Sequence, residues 1–440
     1  MSSKTGDHNV LPLLNKWLEA ARGNGARGVE LLHAASTVHS LALREGRRTI
    51  GSPVQQVRLD GAVYLEGGRA SRFSLTDPTQ GSVDKALTKA LRSARKAPKD
   101  PLAGPVQRIG ISERGLGIED RRYGMLDDDS RPDVLSLNED SVANHAGIEL
   151  VSIDYQDVRT VRTCTSTAEN EATSTDTLYS VRVRVRDSHN GEELEAVSAA
   201  RHFSHVGSLP FGAELAKRLV ALREPGTAPV GPVPLVLESR VAAWILAQLA
   251  PAFASDLVAN GTSFLAGRPP RLAGPRVHLI DDPGLHGGLR TLPFDDRGVP
   301  PTPVAVIREG LQEGQYHTPE TARAHDIRPT GHVRQGVLRP ANLVMRPGNR
   351  SRTQMLSEVP VALSYDRLEG QLDTSTGRLH CWGPAFVLER GRPKGSLPRV
   401  ELDVDVVELL LQVQEIAADQ ERHGHVDCAT VLVREAPLSW

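Results

Sequence analysis

Residues 179–186 read Tyr-Ser-Val-Arg-Val-Arg-Val-Arg, a pattern that no helix can use. Side chains alternate between faces along a strand. Tyr179, Val181, Val183 and Val185 therefore share one face, and Ser180, Arg182, Arg184 and Arg186 share the other. Such a segment belongs to a sheet with one face covered and one face in water. Asn190-Gly191 follows, the strongest short hairpin signal. A two-residue loop there would set Arg186 opposite Glu195. The basic stripe could clamp carboxylates on a peptide or partner. Its plainer reading is a solvated face paired with Glu193 and Glu195.

Around this hairpin the chain alternates helix and strand signals. Val10, Leu14, Trp17, Leu18 and Ala21 form one helical face that stops at Gly23. Short apolar runs at 29–32, 38–43, 54–59 and 62–65 predict antiparallel strands, and 82–95 returns to helical spacing. The polar stretch 96–105 reads as a linker. Residues 211–222 are helical, and the proline- and glycine-rich stretch 223–234 reads as a second boundary. Beyond it come a strand at 234–237 and an Ala-rich helix over about 239–256. Strands follow at 304–307, 343–345, 361–364, 386–389 and 428–433, interrupted by a helix over about 404–418. The expectation is an α+β chain. It has an N-terminal helix and antiparallel-strand domain (1–105), a central domain with the hairpin (106–225), and a mostly antiparallel C-terminal β domain with two helices (226–440).

Charge and motifs exclude several functions. With 52 basic and 54 acidic side chains the formal net charge is -2, which supplies no field for nucleic acid or an anionic membrane. No run of 18 apolar residues spans a bilayer, and residues 1–30 show no secretory h-region. Three scattered cysteines, Cys164, Cys381 and Cys428, make no disulfide framework. These features predict a cytoplasmic protein. Gly23-Asn-Gly25-Ala-Arg-Gly28 fits G-x-G-x-x-G but follows a helix and precedes a strand, the reverse of a dinucleotide site. There is no Gly-Lys pair and no G-x-S-x-G, so the P-loop and the hydrolase elbow are absent. No histidine precedes a glutamate, which excludes any His-Glu zinc helix.

The stretch 281–298, Asp-Asp-Pro-Gly-Leu-His-Gly-Gly-Leu-Arg-Thr-Leu-Pro-Phe-Asp-Asp-Arg-Gly, has too many turn formers for a core helix or an ordinary strand. It predicts a structured loop, where recognition residues concentrate. His278, Asp281, Asp282 and His286 have metal-ligand chemistry, but such residues more often bond loop backbone. His202 with His205, and His423 and His425 near Cys428, are weaker sets of the same kind.

The C-terminal half resembles the TldD/PmbA family, once called modulators of DNA gyrase. The matching stretches are Gly261-Thr-Ser-Phe-Leu-Ala-Gly267, Asp281-Asp-Pro through Gly287-Gly288, Pro293-Phe-Asp-Asp-Arg-Gly-Val299, Arg308-Glu-Gly310, Thr330-Gly-His332, and Asn342-Leu through Pro347-Gly348. They run in one order over roughly 233–433. In this family the TldD-type subunit carries His-Glu-x-x-x-His on the helix before the Gly-Thr-Ser stretch. Counting back from Gly261, those positions fall near Leu246, Ala247 and Pro251, so the chain resembles the TldE (PmbA) type instead.

The resemblance implies a metal-free subunit, not a catalyst alone. It would pair with a TldD-type zinc metallopeptidase subunit to enclose a chamber for proteolysis of unfolded or precursor peptides. It implies no cofactor in this chain, zinc in the partner, and a peptide substrate. Candidates for groove lining or interface are Gly261, Thr262 and Ser263; Asp281, Asp282, His286, Gly287 and Gly288; Asp295 and Gly298; Gly331 and His332; and strand 304–307. Two alternatives stay open: a stand-alone homodimeric peptide-binding scaffold, and an enzyme with a site rebuilt from His278, Asp281, Asp282 or His286. The chain departs from the family pattern at His332 and Arg334, where small residues are expected, and in its last residues, Ala-Pro-Leu-Ser-Trp440.

Overall fold

The computed structural model describes residues 10–107, 115–127, 129–207 and 210–439. Seven strands build the first sheet: β1 (Gly28–Arg44), β2 (Arg47–Ile50), β3 (Val54–Leu65), β4 (Arg69–Thr76), β5 (Ile148–Ser166), β6 (Glu171–Asp187) and β7 (Glu193–Ala200). The order is β4-β3-β1-β5-β6-β7, with β2 beside the end of β1, and every pairing is antiparallel. The runs expected at 29–32 and 38–43 merge into β1, because His33-Ala-Ala-Ser-Thr37 between them holds no glycine, proline, asparagine or aspartate to turn the chain. β1 pairs directly with β5, so one sheet carries strands from both sides of residue 105.

Four helices cover one face of this sheet. They are α1 (Leu11–Gly23), α2 (Gln80–Lys96), α3 (Ser130–Ala143) and α4 (Gly212–Leu222). Leu14, Trp17, Leu18 and Ala21 of α1 pack with Val83, Leu87, Leu91 and Ala94 of α2 over Val29 and Leu31. α2 starts on a capping box, with Thr79 accepting from the Ser82 amide and Ser82 accepting from the Thr79 amide. Val134, Leu135 and Val142 of α3 and Leu215 and Leu219 of α4 pack over Leu41, Leu43 and the hairpin's Tyr179, Val181 and Val183. All the β1 positions named are odd-numbered, so even-numbered Leu32 and Ala34 face the other way.

The hairpin forms, but its register differs by two residues from the expectation. Arg186 lies opposite Glu193, and Arg184 opposite Glu195. The loop is longer because Asp187 is fully buried and closes it. The Asp187 amide donates to the Glu192 carbonyl, and the Gly191 amide donates to the Asp187 carbonyl. Arg223 from the end of α4 grips the Asp187 carboxylate at 2.6 and 3.0 Å. Only Gly191 takes a positive φ, +76°, so the turn is not the two-residue type that needs it at both positions. The arginine stripe pairs with Glu193 and Glu195 on an exposed face.

The C-terminal half packs two large sheets around a main aliphatic core and adds a two-stranded ribbon, Val333–Arg334 with Val337–Leu338. One has eight strands, including Leu235–Leu237, Val361–Tyr365, Arg378–Glu389 and Arg392–Asp405. The other runs Leu311–Gln312, Val304–Arg308, Leu279–Asp281, Leu343–Met345, Val426–Cys428, Glu421–His423. α5 (Ser239–Leu249) buries Val241, Ile245, Leu246 and Leu249, and stops where Pro251 forces a 3₁₀ turn, short of the expected residue 256. The helix expected over about 404–418 is only Val406–Leu411; Val413–Ile416 is a strand paired with Val431–Val433. The run expected at 428–433 splits between both sheets. Short helices at Ser255–Ala259, Pro319–Ala324 and Arg352–Ser357 add to the two expected. Among the described residues no helix is long and apolar enough to cross a membrane, and all three cysteines are free and buried.

Candidate functional site

The 281–298 stretch is a folded loop held by its own polar residues. Asp281, fully buried at a strand end, accepts from the Ala341 amide at 2.9 and 3.1 Å. Its carboxylate lies 3.5 Å from His332 Nε2. His332 Nδ1 donates to the Thr330 carbonyl, and its ring stacks on Tyr316 at 4.5 Å. Asp282 caps the Gly284 amide. Asn342 pins the loop, donating to the Asp282 carbonyl and Thr291 Oγ1 and accepting from the Arg290 amide. Buried Asp295 accepts from three amides, those of Arg297, Val299 and Val333. Gly298 and Gly331 both have φ +73°, and a Cβ there would meet the Asn170 side chain and the Pro300 carbonyl respectively.

The sequence candidates do not all converge. His332 and Asp281 meet, Asp295 ties its loop to Val333 beside His332, and Gly288 abuts Asn342. His286 is exposed at the loop's outer side, against Gly117, with Gly287 donating to Leu116. Gly261, Thr262 and Ser263 follow the Ser255–Ala259 helix and bond back to Val258, Leu257 and Ala252, apart from this group. Among the described residues no three His, Cys, Asp or Glu side chains are placed to hold a metal. His423 and Cys428 both turn to Ser239, through its hydroxyl and its carbonyl.

Two arginines that sequence reasoning did not single out fasten the loop to the first sheet. Buried Arg297 donates to Glu30 at 2.5 Å, to both oxygens of Glu320 at 3.1 Å, and to the Tyr64 hydroxyl at 2.7 Å. Burial opposes its charge, but Glu30, Tyr64 and Glu320 hold its pKa well above the usual value. Arg201, just past β7, donates to the carbonyls of Gly288, Leu289 and Thr291 and to Asp176. Phe294 inserts from the loop against Leu32 and Cys164 on the sheet.

Between this loop and the uncovered face of the sheet lies a cavity of about 490 Å³. Its floor includes Leu32, Ala34, Val158 and Leu178, and its walls include Leu289, Leu292, Pro340 and Ala341. Six arginines (58, 162, 201, 290, 334 and 339) line it against three aspartates (60, 176 and 296). Arg58 pairs with Asp60, and both Arg162 and Arg201 pair with Asp176. Burial, with Arg334 beside them, pushes the Arg162 and Arg201 pKa values down to about 10. Burial likewise lowers Arg290, helped by Arg339 and Arg334 against the pull of Asp281.

The positions that the family resemblance assigns to zinc chemistry carry none. Leu246 is a core alkyl group of α5, Ala247 packs against the same core, and Pro251 stands in the 3₁₀ turn. None offers a donor atom to a metal or a base to a water.

Residues 230–439 match the family model described as the PmbA/TldA metallopeptidase C-terminal domain. Curated relatives include Metalloprotease PmbA of Escherichia coli O157:H7, 24% identical over 52% of this chain and 50% of that protein. A metalloprotease of Methanocaldococcus jannaschii is 24% identical over 48% of this chain and 49% of its own length. The matched region thus spans about half the length of these relatives. Among solved structures, a modulator of DNA gyrase from Thermotoga maritima superposes with a TM-score of 0.86, covering 97% of this chain and 99% of that one at 20% identity. TldE from Thermococcus kodakarensis gives 0.84, over 97% and 100%, at 16% identity. These likenesses establish the fold across both halves, and the match at 230–439 shows that the C-terminal half is a domain of the TldD/PmbA family.

Proposed function

We propose that this chain is the TldE-like, metal-free subunit of a two-subunit metallopeptidase. It pairs in the cytoplasm with a zinc-bearing TldD-type partner and helps to enclose and hold a peptide. One observation carries this reading: Leu246, Ala247 and Pro251 leave the helix before Gly261 without a metal ligand or a general base. The 281–298 loop, the Gly261–Ser263 turn and strand 304–307 are the surfaces assigned to groove or partner.

The test is co-expression with a TldD-type chain that carries His-Glu-x-x-x-His. The expected result is a stable complex with one zinc per pair, peptidase activity in the complex, and neither zinc nor activity in this chain alone. Stoichiometric zinc in the purified chain, or peptide cleavage by it, would overturn the reading. A homodimer that ignores every such partner would favour the scaffold alternative.

A further inference from the structure

The cavity beneath the 281–298 loop concentrates positive charge in a chain whose formal net charge is -2. Its lining carries three more arginines than aspartates. All three aspartates are already engaged: Asp60 by Arg58, Asp176 by Arg162 and Arg201, and Asp296 by the Gln335 amide. Arg290, Arg334 and Arg339 hold no carboxylate at ion-pair distance among the described residues, although Asp281 pulls on Arg290, and Asp295 and Asp296 lie in the field of Arg334. Arg290 donates to the Pro340 carbonyl and Arg334 to the Val333 carbonyl. Like charges held together in a partly desolvated space cost free energy, which an incoming anion would relieve.

The shape of the site narrows the anion. A guanidinium presents planar paired donors that match a carboxylate. The floor, by contrast, is aliphatic and belongs to three neighbouring strands, through Leu32, Ala34, Val158 and Leu178. A small inorganic anion would leave that strip uncovered. A peptide covers it while presenting a carboxylate to the arginines, and the volume lies within the ordinary range for ligand sites.

We propose that this cavity binds a carboxylate carried by an extended peptide, with Arg290, Arg334 and Arg339 as the contacting cations. The carboxylate is either a chain terminus or an acidic side chain; both present the same planar oxyanion. Arg162 and Arg201 act as positioning residues, since their donors are committed to Asp176 and to the loop carbonyls. The proposal rests on the peptide-handling role above. It is tested on the chain alone, so failure to find a partner and failure to bind a peptide are separate results.

The experiment is isothermal titration of the full chain at low salt with three hexapeptides of small neutral residues. One has a free C-terminal carboxylate, one is amidated, and one is amidated with a central glutamate. Binding of the first or third, at least about tenfold tighter than the second, supports the proposal and identifies the source of the carboxylate. The double variant Arg334→Gln/Arg339→Gln should erase that preference while its thermal unfolding matches the parent. Arg339 is exposed, so Arg339→Gln alone serves if the double variant does not fold, and it should weaken the preference severalfold. Equal binding of all three peptides, binding of none, an unaltered preference in the folded variant, or binding of inorganic phosphate without any peptide would each overturn the proposal.

Discussion

Removing the Arg297 guanidinium would strand the buried Glu30 carboxylate and leave the partly buried Glu320 with Arg72 alone, at 3.7 Å. Breaking a buried ion pair from one side costs roughly 3–5 kcal/mol, mostly the desolvated charge left behind. Arg297→Met should therefore lower the denaturation midpoint strongly. Arg308→Met, whose pair with Glu313 is exposed, should leave it unchanged. Parallel denaturant melts compare the two, and similar midpoints would refute the argument. A second residue reports on pH. Burial, with Arg290 nearby and Asp281 opposing, lowers the His425 pKa to about 4. An unfolded chain takes up this proton below about 6.5. Stability from this group is thus complete above that pH and falls as the pH drops towards 4. The His425 ring signals in NMR should stay in the neutral form from pH 7 to about 5, and a midpoint near 6.5 would contradict this.

At the scale of elements, local pattern named the hairpin, while contacts from elsewhere fixed its register. Asn190-Gly191 pointed to a two-residue turn, but the buried Asp187 carboxylate and Arg223 from α4 lengthened it. Gly191 still takes positive φ, and a Cβ there would meet nothing. Gly191→Val should then cost only the backbone penalty, about 1–2 kcal/mol, seen as a modest drop in melting temperature with the sheet intact in far-UV circular dichroism. Loss of the sheet signal would mean that the turn is under tighter constraint. α3 gave no clear signal because Asn138 occupies its buried face, donating to the Val134 carbonyl and accepting from the Gly212 amide. The helix expected to reach residue 418 ends at 411 because Val413 and Ile416 gain more from pairing with Val433 and Val431 than from one further turn.

At the scale of the molecule, buried contacts are prominent among those that join the halves. Phe294 sits among Leu32 and Cys164, Asn170 donates to the Gly298 carbonyl, and Asp366 accepts from Arg218 of α4. Phe294→Ala empties a buried aromatic site, which costs about 3–5 kcal/mol, and should loosen the loop from the sheet. Hydrogen exchange should then rise in both 285–298 and the facing parts of β1 and β5. A rise confined to the loop would show that the sheet does not depend on this latch. The same contacts create the cavity. It exists only where an uncovered sheet face and a polar loop meet with charged side chains between them.

The amino-acid order alone specified the alternating strands, the apolar helix faces and the turn-rich loop at 281–298, because each depends on residues within a few positions of one another. It left the arginine cavity unseen. Arg162, Arg201, Arg290, Arg334 and Arg339 lie on separate elements with no shared spacing. Only the pairing of β1 with β5 and the docking of the loop on that sheet bring them together. The difference is one of range: backbone preference and periodicity are local, whereas the field in a cavity is the sum over charges that the tertiary fold alone makes neighbours.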